Sequence, residues 1–179
     1  ALGFRLINSD KPFEKGLAKA GLTSDPEDIA SAQGQSIRAK AKAITGKQMT
    51  IALEGRLGLV IDGTGKDYAK IKKQVDMLRD IGYAVHMIFV NTDLETALDR
   101  NDKRPRTLDK DMVTGMWKDV QKNIGKFQGL FRNRLIIVDN SNDSDIDGQT
   151  LGAFKRIKTW AAKAPENAIA ARWIKGQKK

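Results

Sequence analysis

Four short runs of consecutive apolar residues punctuate the chain: Gly3-Phe4-Arg5-Leu6-Ile7, Leu57-Gly58-Leu59-Val60-Ile61, Ala84-Val85-His86-Met87-Ile88-Phe89-Val90 and Leu135-Ile136-Ile137-Val138. They are continuous rather than alternating, which predicts strands buried on both faces, as in a parallel sheet covered by helices. Between them the apolar positions recur at helical spacing. Tyr68, Ile71, Val75 and Leu78 mark one helix that stops at Gly82. Thr92-Asp93-Leu94-Glu95 reads as a capping box opening a short helix with Leu94, Ala97 and Leu98 inward. Val113, Met116, Val120, Ile124 and Phe127 predict one longer helix, and Leu151, Phe154, Ile157 and Trp160 another. Ser24-Asp25-Pro26-Glu27 starts a helical region reaching Glu54, with a break near Gly46. Strands alternating with helices predict an α/β fold with a mainly parallel sheet and right-handed crossovers. Residues 141–148 read as a polar loop, and the last dozen residues as loosely attached.

The 179 residues suffice for one domain with its own core, taken as an α/β body over 1–164 and a basic tail over 165–179. The absence of Cys removes disulfides, thiolate metal sites and a cysteine nucleophile, and a single His excludes a multi-histidine centre. No run approaches the roughly 18 apolar residues of a membrane span, and a cytoplasmic location is expected. The net charge of +10 implies an anionic partner, a nucleotide or nucleic acid. It is concentrated in residues 100–134, with ten basic and four acidic residues, and in 151–179, with eight basic residues against Glu166.

In open parallel sheets, ligands bind beyond the carboxyl ends of the strands. Asn8-Ser9-Asp10, Asp62-Gly63-Thr64-Gly65-Lys66, Asn91-Thr92 and Asp139-Asn140 are therefore the segments to read. A strand ending at Asp62, then a glycine-rich turn and a helix opening near Lys66, offers backbone N–H groups to phosphate. Asp62 itself either holds Mg²⁺ or caps the turn. Asp10 either accepts a proton from an attacking hydroxyl or caps a helix after Pro12. Arg100, Arg104 and Arg106 form a cationic loop able to fold over a triphosphate, although Arg100 also suits a helix C-terminus. His86 is expected to be a satisfied core histidine, and Trp117 and Trp160 to pack in or near the core. Trp173 is expected to pin the tail, with base stacking as the weaker alternative.

The succession Leu6–Asp10, Gly58–Gly65, a helix, a strand over Val85–Asn91, then Leu94–Asn101 with Arg104 and Arg106 resembles P-loop kinases of the zeta-toxin and polynucleotide-kinase type. It is most similar to the small AAA/zeta-toxin-like ATPases of bacteriophages. The resemblance implies a three-layer P-loop NTPase-like sandwich that uses ATP and Mg²⁺ to phosphorylate a hydroxyl acceptor, a nucleotide sugar or a nucleic-acid end. It implies Asp10 as the residue activating that hydroxyl, and Asp62, Gly63 and Thr64 beside the phosphates, with Gly65 and Lys66 following. It makes Arg100, Arg104 and Arg106 lid arginines, and it puts Asn140 and Asn142 near the adenine. The chain departs from the family in one respect: it contains no G-x-x-x-x-G-K-[ST] pattern. A strand, P-loop and helix of roughly 25–40 residues are expected ahead of Ala1. The alternative is a scaffold that has lost the loop and acts as a basic nucleic-acid-binding or virion-associated protein.

Overall fold

The structure, a computed structural model, describes residues 2–104 and 107–177. The chain divides into two compact units, residues 1–63 and 64–179.

The first unit carries β1 (Arg5–Ile7), α1 (Asp10–Lys19), α2 (Pro26–Ala30), α3 (Ala32–Glu54) and β2 (Leu59–Ile61). β1 and β2 pair in parallel, with Arg5 opposite Leu59 and Ile7 opposite Ile61. Backbone bonds extend the pair at both ends, Arg5 N–H to the Gly58 carbonyl and Asp62 N–H to that of Ile7. A parallel pair needs a crossover, and here α1–α3 provide it. α1 packs on α3 around buried Leu17 and Ala41. Gly16 permits the close approach, because a Cβ there would collide with the Ile37 side chain. The break in this helical region falls at Ser31, not Gly46. The Ser31 hydroxyl accepts from Gly34 N–H and donates to the Asp28 carbonyl, so it ends α2 and caps α3, which then runs unbroken to Glu54. α1 starts at Asp10 itself, ahead of Pro12.

The second unit carries α4 (Tyr68–Asp80), β3 (Met87–Asn91), α5 (Leu94–Asp102), α6 (Lys110–Gln121), α7 (Ile124–Phe131), β4 (Leu135–Asp139), α8 (Ile146–Ala162) and α9 (Ala168–Gln177). β3 and β4 are parallel and in register from Met87–Leu135 to Asn91–Asp139. Val75, Phe89, Phe127 and Phe131 form one apolar cluster; Ile136, Val138 and Ala153, with Ile157 and Trp160 against them, form another.

Several expectations need correction. The four apolar runs form two separate parallel pairs among the described residues, not one sheet. Their outer residues are not buried on both faces: Leu6, Val60, Ile88, Val90 and Ile137 are exposed. In α8 it is Ala153 that is buried, whereas Leu151 and Phe154 face solvent. The helix expected over Val113–Phe127 is two helices, because Asn123 N–H bonds the Val120 carbonyl while its own carbonyl starts α7. The polar loop is shorter, since Asp145 caps α8 through Gly148 N–H. The C-terminal segment is held: the Asn167 amide donates to the Arg79 carbonyl, Arg134 pairs with Glu166, and Gly82 lies against Ile169 and Ala170.

His86 precedes β3 rather than lying within it. Its ring stacks on Trp160 at 4.1 Å, and its Nδ1 is buried without a partner. Burial holds its pKa below the ordinary 6.5, with Arg134 adding to the effect and Glu166 opposing it. The unfolded chain then takes up a proton near pH 6.5 that the folded chain resists, so stability falls as the pH drops below that value. His86→Phe keeps the stacked ring and removes the titration. Thermal melts at pH 7 and pH 5 should therefore show a smaller acid-induced drop in Tm for the variant than for the parent.

Candidate functional site

Parallel pairing delivers both strands of a pair to the same end, and in the first unit that end holds Asn8, Asp10 and Asp62. Asn8 ties them together. Its Nδ2 donates to Asp62 Oδ2 at 2.7 Å, and its Oδ1 accepts from Asp10 N–H at 2.6 Å. Asn8 thereby links the Asp62 carboxylate to the main chain of Asp10, 52 residues away in sequence. Asp10 is the first residue of α1, where the helix N-terminus favours an ionised carboxylate. Its side chain is exposed and takes part in no hydrogen bond or ion pair among the described residues. Asp62 is exposed too, with Oδ2 engaged by Asn8.

The glycine-rich segment crosses the boundary between the units. In the second unit Gly65 is buried at φ +75°, a conformation that favours glycine, with Phe89, Phe127 and Val120 around its Cβ position. The buried Asn123 amide donates to both the Gly65 and Lys66 carbonyls, at 3.1 and 2.9 Å. α4 opens at Tyr68, two residues later than expected. Asp67 caps it by accepting from Lys70 N–H.

At the carboxyl ends of β3 and β4, Asn140 N–H donates to the Asn91 carbonyl, and Asp93 N–H to Ser141 Oγ. Asp93, not Thr92, caps α5, accepting from both the N–H and the hydroxyl of Thr96. These bonds and the one from Ser141 hold the Asp93 carboxyl below its ordinary pKa, the Thr96 N–H contributing most. Arg100 reaches Asn142 Oδ1 at 3.3 Å, and Asn142 N–H donates to Thr96 Oγ1. Trp117 donates its indole N–H to the Thr92 carbonyl, and Gln121 donates to Asn91 Oδ1. Arg104 is exposed; Arg106 lies outside the described residues.

Asn101, which sequence reasoning passed over, ties the end of α5 to Leu108. It is 4% exposed, and its amide both donates to the Leu108 carbonyl and accepts from Leu108 N–H, each at 2.9 Å. Asn8 and Asn123 were missed as clamps because Asp62, Gly65 and Lys66 are distant from them in sequence.

A family profile described as an AAA domain matches residues 1–126. The chain belongs to the AAA domain family. This membership makes it P-loop NTPase-like, a class that binds nucleotides and usually uses Mg²⁺. No curated protein matches the chain. No described helix is long and apolar enough to cross a membrane.

Mg²⁺ of the kind this class uses takes oxygen ligands, and Asp62 is an exposed carboxylate. Among the described residues no three acidic or His side chains gather into a metal cage, whereas Mg²⁺ keeps several waters and needs one or two carboxylates.

Asn101→Ala strips both hydrogen bonds from the Leu108 main chain. An expected loss of about 1–3 kcal/mol should appear in urea unfolding, together with faster proteolysis of the 102–108 loop. Unchanged proteolysis would remove Asn101 from this role.

Proposed function

We propose that this AAA domain is the body of an ATP-dependent phosphotransferase acting on a hydroxyl acceptor, zeta-toxin-like or polynucleotide-kinase-like. The observation that carries the reading is the Asn8 bridge, which couples Asp10 to Asp62 at the strand ends. In the reaction, Asp10 takes the acceptor's proton as that oxygen attacks the γ-phosphorus and ADP leaves. Asp62 would hold the Mg²⁺ that offsets phosphate charge when bound. Arg100, Arg104 and Arg106 keep the lid role that the resemblance implies, and Asn140 and Asn142 the contacts to the base.

The β- and γ-phosphates need a cradle of loop amides and a Lys, and the chain has no G-x-x-x-x-G-K-[ST] to supply it. The reading therefore includes a further parallel strand that carries this loop and leads into a helix, completing a three-layer sandwich. Two features support the addition. Two-stranded parallel sheets are rarely stable alone, yet both pairs have an open edge among the described residues. In the second unit the register sets exposed Ile88 and Val90 beside buried Ile136 and Val138, so β3 has an apolar surface where another helix would pack.

The test uses the chain supplied with such a strand–loop–helix segment. Asp10→Asn should lower phosphoryl transfer by about 10²–10⁴-fold while ATP affinity stays within a few-fold, because the base acts on the acceptor. Arg104→Ala should lower turnover by roughly 10²-fold or more. Full turnover by the Asp10→Asn protein would overturn that assignment. Absence of any ATP turnover in the parent, with nucleic-acid binding retained, would favour the binding protein instead.

A further inference from the structure

A groove of about 860 Å³ lies between α1 and α3 in the first unit. Lys11, Lys15 and Lys19 line it from α1 and Lys40 from α3; no acidic side chain lines it. All four lysines are exposed and form no ion pair among the described residues, although α1 itself also carries Asp10 and Glu14. The groove also includes Asn8, the residue that joins Asp10 and Asp62. It therefore leads away from the carboxylate pair along a row of positive charge.

The spacing identifies what fits. Residues four apart on a helix rise about 6 Å, so Lys11 to Lys19 spans about 12 Å. A nucleic-acid strand carries a phosphate about every 3.4 Å in duplex form, and more widely when extended, so the row meets several successive phosphates. A nucleotide sugar has two phosphates on one bridging oxygen and cannot reach from Lys11 to Lys19. The remaining wall includes the apolar Leu6, Ile37 and Ile44 and the polar Gln33, Ser36 and Gln48, with no aromatic ring among the lining residues to stack on a base.

From this geometry we infer that the α1–α3 groove binds a single strand of nucleic acid through its sugar–phosphate backbone, with the strand terminus directed toward Asn8 and Asp10. The inference rests on the phosphotransferase reading only in making that strand the acceptor; the binding itself needs neither ATP nor turnover. Affinity then depends on salt, because each phosphate neutralised by a lysine releases counterions.

The experiment measures binding of fluorescein-labelled dT12 to the full chain by anisotropy across a salt series. The triple variant Lys15→Ala, Lys19→Ala, Lys40→Ala is compared with Lys155→Ala, Lys158→Ala, Lys163→Ala, which removes equal charge from exposed positions on and just after α8. The groove variant should flatten the log–log salt slope by about 2, at roughly 0.7 per contact for a single strand; the control should leave it nearly unchanged. Circular dichroism confirms folding, and the double reversal Lys15→Glu, Lys19→Glu should abolish binding even if the triple variant proves unstable. UDP-glucose should not displace dT12. Equal effects of groove and control variants, or displacement by UDP-glucose, would overturn the inference. Loss of the slope without any phosphoryl transfer keeps the groove and refutes the kinase reading; transfer with an unchanged slope does the reverse.

Discussion

Ile7 stands opposite Ile61 and Asn91 opposite Asp139 because the strands in each pair run the same way, so the chain must leave both strands at one end. The polar residues that follow are then neighbours whatever their separation in sequence. In the first unit this brings Asn8 within hydrogen-bond reach of Asp62. In the second it sets the Asn91 carbonyl against Asn140 N–H and the start of α5 against Ser141. The aliphatic side chains of the strands provide the burial; their shared direction provides the chemistry. An antiparallel pairing of the same runs would send Asn8 and Asp62 to opposite ends.

What steadies the loops at these ends is a set of asparagine amides used as substitutes for backbone. Asn101 pairs with Leu108 as a strand residue would, Asn123 holds two consecutive carbonyls, and Asn8 joins a carboxylate to a helix N-terminus. An amide both donates and accepts, so it can satisfy main-chain groups that an irregular path leaves open. Asn101 and Asn123 are buried, where an unmet polar group is costly, and both have partners. The ion pairs Lys72–Asp76, Lys103–Asp99, Lys110–Asp102 and Lys122–Asp119 are exposed to a large extent and contribute little by comparison.

The alternation of strand and helix was legible in the sequence because consecutive aliphatic residues and 3.6-residue periodicity are local signals. Glu54 ending its helix and Asp93 lying in the capping segment were within a residue or so of expectation. The misplacements have physical causes. Gly46 weakens a helix by about 1 kcal/mol relative to Ala, too little to break α3 once Leu17 and Ala41 pack. Asn123 interrupts a continuous apolar stripe because its amide is needed at Gly65. The partition of four runs into two pairs was not legible, since Val-, Ile- and Leu-rich runs do not encode which neighbour they take. Asp10 and Asp62 were chosen by position at strand ends, but the amide that couples them became visible only once the register was known.

The lysines of the α1–α3 groove invite the question of what they do for the fold, and energetics answers it. A row of like charges along one helix face, with a fourth opposite, repels itself rather than stabilising the helix pair. Packing between α1 and α3 is already secured by Leu17, Ala41 and the Gly16–Ile37 approach, none of which involves these ammonium groups. Elsewhere the protein places acids beside lysines at helical spacing, as in Lys72 with Asp76 and Lys103 with Asp99. In the groove no such pair forms among the described residues, although Glu14 lies on α1 between Lys11 and Lys15. A charge pattern that costs the isolated fold something, in the unit where Asn8 also links the Asp62 carboxylate to the start of α1, is accounted for when a polyanion completes it.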